Sequence, residues 1–123
     1  MSDGRHLILD LYECDPEILD DYEKLHQLMI EALKVAGAII LRVVGEKFEP
    51  QGVTLVALLA ESHASIHTWP CEKYAAVDLY TCGEKTKTHA AAKVIKEGLK
   101  AELANEKELV RPLTHNKSSA SVY

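Results

Sequence analysis

The chain contains no run approaching the roughly 20 consecutive apolar residues that a membrane helix needs, and no block of basic residues. The first absence argues against a membrane span. The second, with a formal charge of −5, argues against nucleic acid as the main partner and suits a cationic ligand better. Cysteine is scarce: Cys14, Cys71 and Cys82 are an odd set without C-x-x-C spacing, which indicates neither a disulfide framework nor a zinc site. Each is read as a free thiol. Residues 1–15 alternate charge and hydrophobe where a secretory signal would be apolar, so a cytoplasmic protein is expected.

What is present describes an ordinary globular domain. With 123 residues, 47% hydrophobic and 27% charged, the chain can bury one core, and residues 1–123 are read as a single domain. His6–Tyr12 reads as an opening strand, after which Asp15 can cap a helix with Pro16 in its first turn. Apolar residues at spacings of three and four from Ile18 to Ala36 predict an amphipathic helix over 16–36, stopped by Gly37. The β-branched run from Ala38 predicts a strand reaching toward Phe48, and Pro50-Gln51-Gly52 a turn into a buried strand over 53–60. Tyr74–Cys82 is a further strand, ended by Gly83. Residues 86–100 form a helix with Gly98 as a weak point, and a short strand lies around 107–111. The polar tail from Thr114 to Ser121 is expected to be mobile.

This order predicts an α+β fold: a two-layer α/β sandwich with a mostly antiparallel sheet and two helices packed on one face. The other face then needs cover, and a second subunit is the natural candidate.

The segment Glu61-Ser62-His63-Ala64-Ser65-Ile66-His67-Thr68-Trp69-Pro70 ends the apolar strand with a density of hydroxyls, imidazoles and one carboxylate that no core strand needs. Three chemistries compete for it. His63 and His67 would share a helix face as metal ligands, but the β-branched and aromatic residues around them disfavour a helix. Ser62 or Ser65 could pair with a histidine in a hydrolase, without a Gly-x-Ser-x-Gly elbow in support. In the third, the Ser62 hydroxyl attacks the Glu61 carbonyl and the acyl group moves from nitrogen to oxygen. Elimination of the ester then leaves a dehydroalanine, which hydrolyses to ammonia and a pyruvoyl group on a new N-terminus. Such a ketoacyl group forms an imine (Schiff base) with a substrate amine and accepts electrons from a departing carboxylate, as pyridoxal phosphate does elsewhere.

The run Glu61–Pro70, then Tyr74-Ala75-Ala76-Val77-Asp78-Leu79-Tyr80-Thr81-Cys82-Gly83, resembles the signature of prokaryotic S-adenosylmethionine decarboxylase proenzymes. Gly4-Arg5-His6-Leu7 and Tyr12-Glu13-Cys14-Asp15 are similar to the same family, and the resemblance extends from residue 4 to about residue 100. It implies a carboxy-lyase of spermidine and polyamine biosynthesis, made as a zymogen that cleaves itself between Glu61 and Ser62 into a β chain of residues 1–61 and an α chain of residues 62–123. It implies a covalent pyruvoyl cofactor from Ser62, with neither pyridoxal phosphate nor a metal. His67 would be the processing acid/base, Thr54 a hydroxyl assisting cleavage, and Cys82 the proton donor after carbon dioxide leaves. Phe48 would stack on adenine, with Trp69 as a second aromatic at the substrate. Pairs of αβ units are the implied assembly, a homodimer acting on a small amino-acid-type substrate.

Three expectations follow from the residues beside that resemblance. Ser62 and His67 are an odd number apart, so in one strand they face opposite ways and a bend or bulge between them is expected. His63, Ser65 and Thr68 read as hydrogen-bond supports, and Cys14 as a packed thiol. Cys71 stands where the family usually has the glutamate that holds the ribose hydroxyls, and a thiol cannot accept a charge-assisted pair of hydrogen bonds. Glu72, one position on, would point to the other face of a strand. That departure leaves arginine or ornithine as alternative substrates within the superfamily, and an uncleaved, non-catalytic binding homologue as an alternative of a different class.

Overall fold

The computed structural model describes residues 3–82 and 87–114. Among these, six strands and three helices follow one another as β1 (Gly4–Tyr12), α1 (Pro16–Leu19), α2 (Tyr22–Ala36), β2 (Ile40–Lys47), β3 (Val53–Leu59), β4 (Ser62–Trp69), β5 (Tyr74–Cys82), α3 (Thr88–Gly98) and β6 (Leu103–Arg111), with a 3-10 turn at Pro70–Glu72. The strands form one antiparallel sheet in the order β2-β3-β4-β5-β1-β6. The expected α+β sandwich is present. None of the helices is long and apolar enough to cross a membrane.

The helix expected over 16–36 is two helices. Asp15 caps α1 by accepting from the Glu17 N–H, and Asp21 caps α2 by accepting from the Lys24 N–H, so the second aspartate restarts the helix one turn later. Gly37 ends α2 in the left-handed region at φ 79°, where a side chain would be strained. Gly98 lies near the end of α3 because a Cβ there would run into Leu28 of α2. The polar cluster contributes a strand of its own, β4, where its composition suggests only the end of β3. The last strand begins at Leu103, several residues before the expected one, because it pairs with β1 from Leu103↔Tyr12 to Arg111↔Gly4. Gly83 and most of the polar tail lie outside the described residues.

Alternation along the strands sorts the sheet into two faces. Leu7, Leu9 and Leu11 of β1, Leu55 and Leu59 of β3, Ile66 of β4 and Val77 and Leu79 of β5 are buried with Leu25, Met29, Leu33 and Ile95 of the helices. At about 1.5–3 kcal/mol for each large side chain removed from water, this layer dominates folding. Among the described residues the opposite face carries no helix. It presents His6, Asp10 and Tyr12 of β1, Val56 and Leu58 of β3, His63, Ser65, His67 and Trp69 of β4, and Tyr74, Asp78, Tyr80 and Cys82 of β5. Most of the candidate chemistry and the exposed apolar surface therefore lie on this open face, while Ser62 falls in step with Ala64, Ile66 and Thr68 on the helix side.

Candidate active site on the open sheet face

Two groups of side chains occupy the two ends of β4. At the first end, β3 and β4 are joined by Ala60 and Glu61, with Leu59 paired to Ser62. Glu61 is held at φ 62°, a left-handed conformation that costs a residue with a Cβ on the order of 1–2 kcal/mol. The Ser62 hydroxyl donates to the Ala60 carbonyl at 3.2 Å. Because the β4–β5 register ends at His63↔Tyr80, Ser62 begins its strand beside Thr81 and Cys82. Tyr80 packs against the rings of His6 and His63, at 5.6 and 5.5 Å between centroids, the two imidazoles being 6.3 Å apart, and the Arg111 guanidinium sits 5.1 Å above its ring. Burial, with the Cys82 thiol as neighbour, raises the Tyr80 phenol above its ordinary pKa. Cys82 itself is half-buried, and Cys14 is fully buried in the core, where desolvation pushes its thiol up to about 11.

At the second end, Thr54 of β3 pairs with His67 of β4, and the Thr54 hydroxyl is bonded to His67 Nδ1 at 3.0 Å. His67 lies beside Trp69, Trp69 against Tyr74, and Tyr74 against Tyr12, with centroids 6.4, 5.3 and 5.4 Å apart. Tyr74 donates to Asp10, and burial with that carboxylate nearby pushes its phenol up to about 12. A pocket of about 280 Å³ opens here, lined by Phe48, Gln51, Thr54, His67, Trp69, Cys71 and Glu72 among others. Phe48 and Trp69 are 46% and 48% exposed, so both are walls of this pocket and neither is a core residue.

The loop that carries Phe48 and Gln51 is tied down from α1. Asp20 accepts from the Gly52 N–H and from Lys47 Nζ, each at 2.9 Å, and these bonds hold its carboxyl below the usual range, the backbone bond most. Thr68 fastens the other side, its hydroxyl donating to the Leu19 carbonyl at 2.7 Å and accepting from the Val53 N–H at 2.9 Å. Ser65 donates to Asp78 Oδ2 at 3.3 Å, while Asp78 Oδ1 is 3.0 Å from His6 Nε2. The sequence reading missed Asp78 and His6. Their signal was a polar residue at an alternate position in each of two otherwise apolar strands.

Two expectations need correction. The ladders joining β4 to β3 and to β5 run without a register shift from one end of the strand to the other, so the bend or bulge expected between Ser62 and His67 is absent. His67 therefore lies about 16 Å along the strand from Ser62 at the usual rise of ~3.3 Å per residue, and faces the other way. The expectation that Glu72 points away from the site also fails. Residues 70–72 form a 3-10 turn, in which neighbours are related by about 120°, and Cys71 and Glu72 both line the pocket.

Comparison with known proteins agrees with this arrangement over nearly the whole chain. A family model described as S-adenosylmethionine decarboxylase matches residues 5–112. The S-adenosylmethionine decarboxylase proenzyme of Parasynechococcus marenigrum is 52% identical over 99 residues, covering 80% of this chain and 77% of that protein. The proenzyme of Methanococcus maripaludis is 44% identical over 108 residues, 88% of each chain. The crystal structure of the adenosylmethionine decarboxylase from Aquifex aeolicus superposes with a TM-score of 0.86 at 34% identity, covering 94% of this chain and 96% of that one. A strained turn before Ser62, a bonded Thr54–His67 pair, a thiol beside a tyrosine and a sequence match of this length have one common source: the chain belongs to the S-adenosylmethionine decarboxylase family.

Proposed function

We propose that the protein cleaves itself between Glu61 and Ser62 and, with the pyruvoyl group so formed, decarboxylates S-adenosylmethionine to the aminopropyl donor of spermidine and polyamine synthesis. The observation that carries this reading is the left-handed Glu61 immediately before the serine. A hairpin that forces a residue with a side chain into this conformation raises the precursor's energy at the bond to be broken. Attack by Ser62 Oγ on the Glu61 carbonyl breaks the peptide C–N bond and forms an ester. Elimination across Cα–Cβ of residue 62 releases the Glu61 carboxylate, and water then replaces nitrogen with oxygen and frees ammonia.

The Ser62 hydroxyl fits this role, being half-exposed and bonded to a neighbouring carbonyl alone among the described residues. The pyruvoyl group supplies an electron sink at the substrate amine. Cys82, beside the start of β4, is the proton donor to the carbon that loses carbon dioxide. The aromatic walls Phe48 and Trp69 suit an adenine ring and a sulfonium, a contact worth roughly 0.5–2 kcal/mol. Arginine and ornithine offer such walls no flat ring, which favours the nucleoside substrate. The three free cysteines suit the reducing cytoplasm.

His67 and Thr54 assist cleavage, but their distance from Ser62 excludes help within one chain. A second copy facing the open sheet in the opposite sense brings the His67 end of one chain to the Ser62 end of the other. The exposed Val44, Val56 and Leu58 on the same face give such a pair apolar surface to bury. The functional site is thus formed twice in a homodimer. Intact-mass analysis tests the reading: two fragments are expected, the one from residue 62 ending in a ketone. Persistence of one 13.6 kDa chain would support an uncleaved binding protein instead. Carbon dioxide release measured with S-adenosylmethionine, arginine and ornithine separates the substrates.

A further inference from the structure

We propose that Tyr80 is a proton relay that returns to Cys82, from the imidazoles of His6 and His63, the proton spent in each decarboxylation, an assignment that rests on the functional reading above. Replacing a carboxylate by hydrogen consumes one proton per turnover. Cys82 donates it in that reading, which leaves a thiolate that must be recharged before the next substrate reacts. A second subunit over the open face keeps water from that sulfur, so the supply has to come through side chains.

Tyr80 and Cys82 stand at alternate positions of β5 and share the open face. Gly4 of β1 is paired with Cys82, and a Cβ on Gly4 would lie 2.5 Å from the Tyr80 hydroxyl, so the phenol leans into the space that the glycine leaves opposite the thiol. Side chains of directly opposed residues begin about 5 Å apart, which makes phenol and thiol neighbours. The Tyr80 ring packs against both imidazoles, and these meet each other edge-on. Asp78 Oδ1, 3.0 Å from His6 Nε2, holds one ring and leaves its Nδ1 to carry the moving proton. His63 is exposed and forms the solvent end. A phenol both donates and accepts, so the Tyr80 O–H bond breaks as an S–H bond forms on Cys82, an imidazolium N–H proton re-forms the phenol, and water reprotonates the imidazole. No oxidant or reductant is required. The Arg111 guanidinium over the Tyr80 ring offsets the negative charge on the phenol between the two transfers.

The test is rapid-quench product formation from S-adenosylmethionine by fully cleaved wild type and by Tyr80→Phe, which keeps the ring and removes only the O–H. In Tyr80→Phe the first turnover uses the proton already on Cys82 and should match wild type, giving one product per site. Later turnovers should slow about a hundredfold, the lower end for loss of a positioned proton-transfer group, and added imidazole should restore them. A first turnover slowed as much as the later ones would make Tyr80 a packing residue, and later turnovers at the wild-type rate would mean that Cys82 is recharged without it. Either result overturns the relay. Should Tyr80→Phe fail to cleave, the double variant His6→Gln/His63→Gln carries the same comparison: a normal first turnover followed by slow ones supports the relay, and any other pattern overturns it. Wild type inactive on S-adenosylmethionine would refute the functional reading itself, whereas an active wild type confines a failure to Tyr80.

Discussion

The two ends of β4 are built on opposite principles. The His67 end is relaxed and tied down: Asp20, Thr68 and the Gln51 amide, bonded twice to Cys71, hold its loops, aromatic rings stack in sequence, and its histidine is bonded to a threonine. The Ser62 end stores strain at Glu61 and has a serine bonded to a nearby carbonyl. On the proposed function one end is preorganised to bind and the other poised to break, and an unbroken ladder keeps them apart. Preorganisation for binding and strain for bond cleavage demand different local stabilities. A two-sided sheet provides both in one short strand.

The largest effect expected is at the reactive end: Ser62→Ala should abolish cleavage and decarboxylation together, leaving a single mass. Next, the separation of the ends can be tested by mixing. Chains carrying Ser62→Ala and chains carrying His67→Ala, each uncleaved alone, should recover cleavage of the His67→Ala chains when reassembled together. No recovery would mean that His67 serves the serine of its own chain, against the distance along β4. A smaller effect is expected at the turn itself. Glu61→Gly should slow cleavage several-fold and, measured by urea unfolding in Ser62→Ala protein, stabilise the precursor by about 1 kcal/mol, since glycine adopts positive φ without steric cost.

The smallest effect lies at the binding end. Tyr74 loses its proton near pH 10 when unfolded and near 12 when folded. The folded state therefore holds the proton more tightly, and stability falls as pH rises from about 10 toward 12. Tyr74→Phe should flatten that part of the urea-midpoint profile while leaving the decline between about pH 9 and 11, which the buried Cys14 contributes. An unchanged profile in Tyr74→Phe would show that the phenol is not desolvated.

Much of this was legible in the sequence because it is local. Asp15, Pro16 and Gly37 mark helix ends through their own backbone chemistry, and the alternation in Tyr74–Cys82 gives the strand with both ends correct. The cluster from Glu61 to Pro70 advertised itself by composition. Less legible were features in which a local rule met a distant partner. The break at Asp20 and Asp21 frees Asp20 to hold Gly52, and the early start of β6 follows from pairing with β1. Glu72 faces the pocket because Pro70 opens a 3-10 turn where a strand was expected.

By itself, then, the sequence determined the two-layer class, the family, and which serine, histidine and cysteine to consider, because periodicity, capping and motif spacing are properties of short segments. The tertiary structure alone decided how those residues are distributed. It placed Cys82 at one end of the open face, next to the start of β4 where Ser62 lies on the helix side, put Thr54 and His67 at the other end, and clamped Gln51 over the pocket through Cys71. Strand register is set by pairing between distant segments, and no segment encodes its neighbour's position.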